Sequence, residues 1–253
     1  MVSPNLSSLC FPPANDDTAS VAATLRPERQ GDEADEARLN DLMARLYAAD
    51  GDSLWPGAGD RVSPFGQVAQ AKVWVTRCIR RLQSDWEADR RSYNEISTAF
   101  RRLEQALLSD LKAGAAQARV AMAEPLGRVL IVMAPQCSHV MGAALVAAHF
   151  EAHGWQVQWP QAVDASDILD GVRLAHVDVV GISVGHDHAL LDLAQLIGDL
   201  RRVSINPALK IVLGGQAFSL GRNEYQWLGA DHIAVDEHDA LQFCHRMVHS
   251  QRH

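Results

Sequence analysis

The stretch APQCSHVMGAALVAAHF (134–150) sets one imidazole, His139, between an apolar run that stops at Pro135 and a glycine, Gly142, at the head of a helical pattern. An imidazole there is either a metal ligand held at a strand tip or a polar loop residue, so its neighbours matter. Cys137, two residues earlier, is a second soft donor. Two other turns are made of small residues: Ser183-Val184-Gly185 after VDVVGI, and Gly214-Gly215 after LKIVL. Missing side chains let a flat or long molecule approach the backbone closely, so adjacent turns of this kind form a slot rather than a bowl. A histidine beside a narrow slot suits a ligand with a metal at one end and a long tail.

Other chemistries fit poorly. No Gly-x-Gly-x-x-Gly follows the first apolar run and no Gly-Lys-Ser/Thr occurs, which argues against dinucleotides and nucleoside triphosphates. The end of that run offers no carboxylate for a magnesium site of the phosphorelay type. His245 and His249 have the four-residue spacing of a zinc pair on a helix, yet lack a third ligand; GHDH (185–188) places His186 at the rim of the slot.

The elements that must hold these residues are legible in the apolar pattern. After Gly127, RVLIVMA, WQVQWP, VDVVGISV, LKIVLGG and ADHIAVD read as five strands. They alternate with helices over 140–153, 165–175, 189–202, a short one near 222–228, and 237–250. Such alternation specifies parallel strands with right-handed crossovers, hence an α/β, flavodoxin-like, doubly wound five-stranded parallel sheet. In that architecture ligands bind beyond the carboxyl ends of the strands, where all three small-residue turns fall. Ahead of it, apolar stripes predict helices from about 36, over 65–84, 85–92 and 94–112, an all-α bundle of about four helices. Three regions are therefore expected: an acidic tail over 1–35, a helical bundle over 36–120 with its alanine-rich end acting as a linker, and the α/β domain over 126–253.

Charge and cysteines narrow the function. The formal charge of −8 is concentrated at the start, where residues 1–52 hold ten acids against four arginines. Generic nucleic-acid affinity is not expected, and any DNA contact should be indirect or weak. Arg77, Arg80 and Arg81 make a local basic stripe that either solvates a helix or meets an acidic partner. The four cysteines lack paired spacing, and no stretch approaches the apolar length of a membrane span, so a reduced, cytoplasmic protein is expected.

CSHVMG (137–142) resembles the Asp-x-His-x-x-Gly signature of cobalamin-binding domains, with Cys137 where the aspartate would be. Ser183-Val184-Gly185 resembles that family's Ser-x-Leu/Thr element, and Gly214-Gly215 its diglycine. With WEADRRSYNEISTAFRRL (86–103), FEAHGWQV and GADHIAVDEHDAL added, residues 65–248 are similar to the AerR/PpaA group of cobalamin-binding photosynthesis regulators. The resemblance implies a cobalamin, adenosyl- or hydroxocobalamin, held by Ser138, His139, Val140, Met141 and Gly142 of the first turn. Ser183, Val184, Gly185 and His186 of the second, and Gly214, Gly215 and Phe218 of the third, would complete the site. His139 would ligate cobalt in place of the cofactor's own dimethylbenzimidazole, Ser183 would hydrogen-bond that base, and Trp86 with Asp89 would match the group's Trp-x-x-Asp element near the upper face.

It also implies a non-enzymatic, light- or redox-responsive antirepressor whose partner is a PpsR/CrtJ-type transcription repressor. Two departures stand out. Cys137 replaces the acid that would orient His139. Arg90 and Arg91 occupy the place of a Glu-His pair in light-responsive DNA-binding relatives. Heme on the same scaffold, and a corrinoid subunit of a methyltransferase or mutase, are the alternatives.

Overall fold

The computed structural model describes residues 29–48, 68–120, 124–135, 140–159, 164–185, 190–218 and 223–251. Two compact units divide at Gly114 and Ala115.

Three helices are described in the first unit: α1 (Arg29–Tyr47), α2 (Val68–Glu87) and α3 (Tyr93–Val120). Their stripes are buried where the spacing predicts: Leu39, Leu42, Met43 and Leu46 on α1, Ala71, Val75, Cys78 and Leu82 on α2, and Ile96, Ala99, Phe100, Leu103, Leu107 and Leu111 on α3. Three boundaries differ from expectation. Residues 85–92 are not a helix of their own: 85–87 close α2, and 88–92 form a turn in which Asp89 takes φ 49°. α3 runs on through the presumed linker to Val120, because Ala, Gln and Arg propagate a helix without large side chains to bury. α1 begins at Arg29, inside the presumed tail. Its acidic start is drawn onto the basic stripe of α2, with Arg77 pairing to Asp35 at 3.1 Å and to Glu36 at 3.5 Å, and Arg81 to Glu36 at 3.6 Å.

The second unit is the expected α/β domain. β1 (Arg128–Met133), β2 (Gln156–Gln158), β3 (Val179–Ser183), β4 (Lys210–Gly214) and β5 (His232–Ile233) form one sheet in the order β2-β1-β3-β4-β5, every pair parallel. α4 (Met141–Ala152), α5 (Ala165–Leu174), α6 (Leu190–Val203) and α7 (Glu237–Gln251) connect and cover them, with 3₁₀ turns at Gln216–Phe218 and Asn223–Leu228. Strand residues facing both ways are apolar, as a sheet covered on two sides requires. One layer gathers Leu130, Val132, Val180, Ile182, Ile211 and Leu213 against Ile168, Val172, Leu193, Leu196, Ile197 and Leu200 of α5 and α6. Local chemistry sets the helix ends: Asp164 caps α5 in a reciprocal box with Asp167, and Gly154 ends the turn after α4 at φ 91°. No helix among the described residues is long and apolar enough to cross a membrane.

Candidate cofactor-binding site

Strand order reverses between β1 and β3, since β2 lies beyond β1 on one side and β4 beyond β3 on the other. A doubly wound sheet opens a crevice outside its carboxyl ends at such a point. The register fixes its floor: Met133, Ser183 and Gly214 stand side by side on the three central strands. Ala134 N–H donates to Ser183 O at 2.9 Å and Val184 N–H to Gly214 O at 2.8 Å, so the chains stay paired one residue beyond that line. All three turns therefore leave from one level.

The two central glycines do different work. Gly215 takes φ 111°, and a Cβ added there would lie 2.4 Å from the Val184 carbonyl oxygen and 2.9 Å from the Val184 nitrogen. Only glycine lets the backbone after β4 lie so close to the turn after β3. At Gly214 an added Cβ meets only Ala234 O, at 3.8 Å, so this position leaves room. Ser183 is half buried, and Gly142 likewise.

Other predicted positions are packing residues. Val184 is fully buried, its carbonyl accepting the Ala217 N–H at 3.2 Å, and Phe218 is buried with its ring edge-on to Tyr225 at 5.1 Å. Both belong to the apolar layer beneath the crevice. Val140 and Met141 are also buried, at the head of α4. Gly185 is buried. Ser138, His139 and His186, with Cys137, lie outside the described residues. The register thus brings Ser183 and Gly214 to one level at the carboxyl end of the sheet, with Gly215 packed on Val184.

Trp86 belongs to the first unit. It sits at the end of α2, half buried and outside the apolar core, its ring edge-on to the exposed Tyr93 at 6.2 Å. The turn that follows is built on Asp85, a buried carboxylate that the sequence reading passed over. Asp85 accepts the Tyr47 hydroxyl at 2.9 Å and Arg90 Nε at 2.8 Å, with Arg81 Nε at 3.6 Å. Burial, reinforced by Asp85, pushes the Tyr47 hydroxyl above its ordinary range, so it stays a donor at every physiological pH. The Arg91 guanidinium lies 4.4 Å over the Tyr47 ring and also pairs with Glu95 at 2.8 Å. Arg90 and Arg91 are thus turned onto the bundle itself. The signal that could have found Asp85 is its spacing, since 71, 75, 78, 82 and 85 continue one apolar stripe that ends on an acid.

Two histidines of the C-terminal helix pack against other rings: His245 stacks on Trp155 at 6.0 Å and His238 meets His149 at 6.3 Å. Among the described residues, no three side chains are arranged to hold a metal ion.

A parallel sheet with a crevice at its switch point and side-chain-poor turns around it defines a small-molecule-binding domain of the doubly wound class. Residues 127–242 match the B12 binding domain family, and the α/β unit carries a B12-binding domain. Over 166 residues the chain is 24% identical to an uncharacterized 20.5 kDa protein in the bchF-crtJ intergenic region of Rhodobacter capsulatus, covering 66% of this chain and 85% of that one. Its fold is similar to that of the monomethylamine corrinoid protein of Methanosarcina barkeri, with a TM-score of 0.58 and 15% identity, covering 83% of this chain and 96% of that one.

Proposed function

We propose that this protein is a cobalamin-binding regulator of transcription. The observation that carries the binding site is the alignment of Met133, Ser183 and Gly214 at one level, with Gly215 packing its turn against Val184 and an added Cβ at Gly214 meeting a single atom, at 3.8 Å. In this reading His139, in the turn after β1, would hold the cobalt, and Ser183, at the end of β3, would hydrogen-bond the cofactor's nucleotide base. Gly142 and Gly214 admit that base because neither carries a side chain. Trp86 would be a further cofactor-contacting residue, as the resemblance to the AerR/PpaA group implies. Bound cobalamin would supply a metal centre whose ligands light or redox change can exchange. The chain then reports that exchange as altered affinity for a PpsR/CrtJ-type repressor, with no chemistry on a separate substrate. The relative encoded between bchF and crtJ supports the regulatory side of the reading.

The test is to load purified protein with hydroxocobalamin, adenosylcobalamin or heme and record spectra in darkness and after illumination, beside a His139→Ala variant. Corrin bands retained by the parent protein and lost or shifted in the variant are expected. A tight complex with heme alone, or an unchanged corrin spectrum in His139→Ala, would overturn the proposal. The fold likeness to a corrinoid protein supports a second reading, a corrinoid subunit serving a methyltransferase, which steady methyl transfer with a candidate partner enzyme would select.

A further inference from the structure

Asp85 is an unusual choice of residue for its place. It continues the apolar stripe of α2, is as buried as the leucines around it, and immediately precedes Trp86. A buried carboxylate is retained only where its charge is fully met, and here three elements converge on it. Tyr47 comes from the last turn of α1, Arg81 from α2, and Arg90 from the turn after Trp86. Arg90 also donates to Ser84 Oγ at 2.8 Å, and its backbone N–H to Asp85 O at 2.9 Å, so the turn is closed over Asp85 from both ends. Inside that closed turn Asp89 holds φ 49°, a conformation that persists only where the surroundings enforce it. The end of α1 is tied to the same place: Arg102 of α3 donates to the carbonyls of Leu46, at 3.1 Å, and Ala48, while Arg91 covers the Tyr47 ring.

We infer that Asp85 is a positioning residue that sets the turn carrying Trp86 and, through Tyr47, couples the docking of α1 to that turn. The inference rests on the proposal that Trp86 contacts the cofactor. It follows from the shared carboxylate: a rotation of the turn that withdraws Arg90 also changes the acceptor held by Tyr47. The acidic first helix then becomes the element that registers what happens at Trp86.

The experiment uses the full chain and hydroxocobalamin at saturation, with two readouts. The first is the part of the tryptophan fluorescence quench that Trp86→Phe removes; the second is amide exchange in α1 with and without the cofactor. In the parent protein, binding should quench Trp86 and slow exchange in α1. Asp85→Asn should lose most of the Trp86 quench while still binding the corrin, and exchange in α1 should speed up about tenfold. Tyr47→Phe keeps the ring under Arg91 and should keep the Trp86 quench, yet exchange in α1 should no longer respond to the cofactor. An Asp85 that only stabilised the bundle would lower the melting temperature and leave the saturated quench unchanged. That result, or a cofactor response of α1 that survives in Tyr47→Phe, would overturn the inference. Equal quench in the parent and in Trp86→Phe would instead remove its premise, the contact between Trp86 and the cofactor, and the inference with it.

Discussion

Gly214 and Gly215 are adjacent, yet adding a methyl group to each should break different things. At Gly215 the new Cβ would sit 2.4 Å from Val184 O and 2.9 Å from Val184 N, at a backbone φ of 111°. Both atoms are backbone and both are engaged, the N–H with Gly214 O at 2.8 Å and the oxygen with the Ala217 N–H at 3.2 Å. No rotamer can relieve that overlap, so the turns after β3 and β4 must separate. The backbone conformation costs an L-residue about 1–2 kcal/mol and the two hydrogen bonds about 1 kcal/mol each, roughly 3–4 kcal/mol in all. Gly215→Ala should therefore melt about 10 °C or more below the parent protein. Gly214→Ala faces one atom at 3.8 Å, ordinary contact distance, and should change unfolding by less than about 1 kcal/mol. Gly214 is one of the residues proposed above to admit the cofactor, so Gly214→Ala should nevertheless weaken hydroxocobalamin retention in a gel-filtration or equilibrium-dialysis assay. If denaturant unfolding placed Gly215→Ala within about 0.5 kcal/mol of the parent, or ranked Gly214→Ala as the less stable, this account of the two turns would be wrong.

Acid should act on the α/β unit through Asp231. Burial pushes its carboxyl upward, but the Ile211 N–H at 2.8 Å, Arg201 at 2.7 Å and Lys210 at 3.2 Å outweigh burial and hold it below the ordinary carboxylate range. A depressed carboxyl stabilises the fold fully at neutral pH and loses that contribution as pH falls through its folded value. Asp231→Asn should therefore cost about 1–3 kcal/mol near pH 7 and much less near pH 3; equal cost at both would refute the assignment. Burial pushes the Cys78 and Cys244 thiols up to about 12. Mass spectrometry after iodoacetamide should find both unlabelled in native protein near pH 8 and labelled after denaturation, and rapid native labelling of either would contradict their burial.

The sheet was readable because its strands are short, uninterrupted branched runs: VLIVM, VVGIS and KIVLG each end at a small residue or a proline. The helix over 165–175 was legible from its apolar pattern, while its capping box of Asp164 and Asp167 emerged only in the fold. What escaped depended on partners far along the chain. Tyr47 and Asp85 are 38 residues apart, and neither residue type announces the other. Residues 85–92 read as a helix because Trp86 and Ala88 suit one, whereas the carboxylate of Asp85 draws Arg90 back and folds the chain into a turn. Residues 112–120 read as a linker because they lack large side chains, although helix propagation needs none. The diglycine was visible as a pair, but the separate duties of Gly214 and Gly215 rest on Val184, a residue of another strand.

The arginine stripe changes meaning once its partners are known. By spacing alone, Arg77, Arg80 and Arg81 offer a basic face to an anionic partner. In the fold Arg77 is taken by Asp35 and Glu36, and Arg81 lies between Glu36 and Asp85. Arg77 and Arg38 also bracket the Trp74 ring, at 5.0 and 5.4 Å. An acidic partner at this face would have to displace the acids of α1. Exposed ion pairs are each worth only about 0–1 kcal/mol, so the obstacle is less their strength than the tether that keeps the α1 acids close at hand. Movement of α1 would uncover the stripe. The same helix is fastened at its other end by Tyr47 to Asp85. A change at the Trp86 turn that loosens this fastening would therefore expose positive charge along α2, and association with an acidic partner should strengthen at low salt when Asp85 is replaced by Asn.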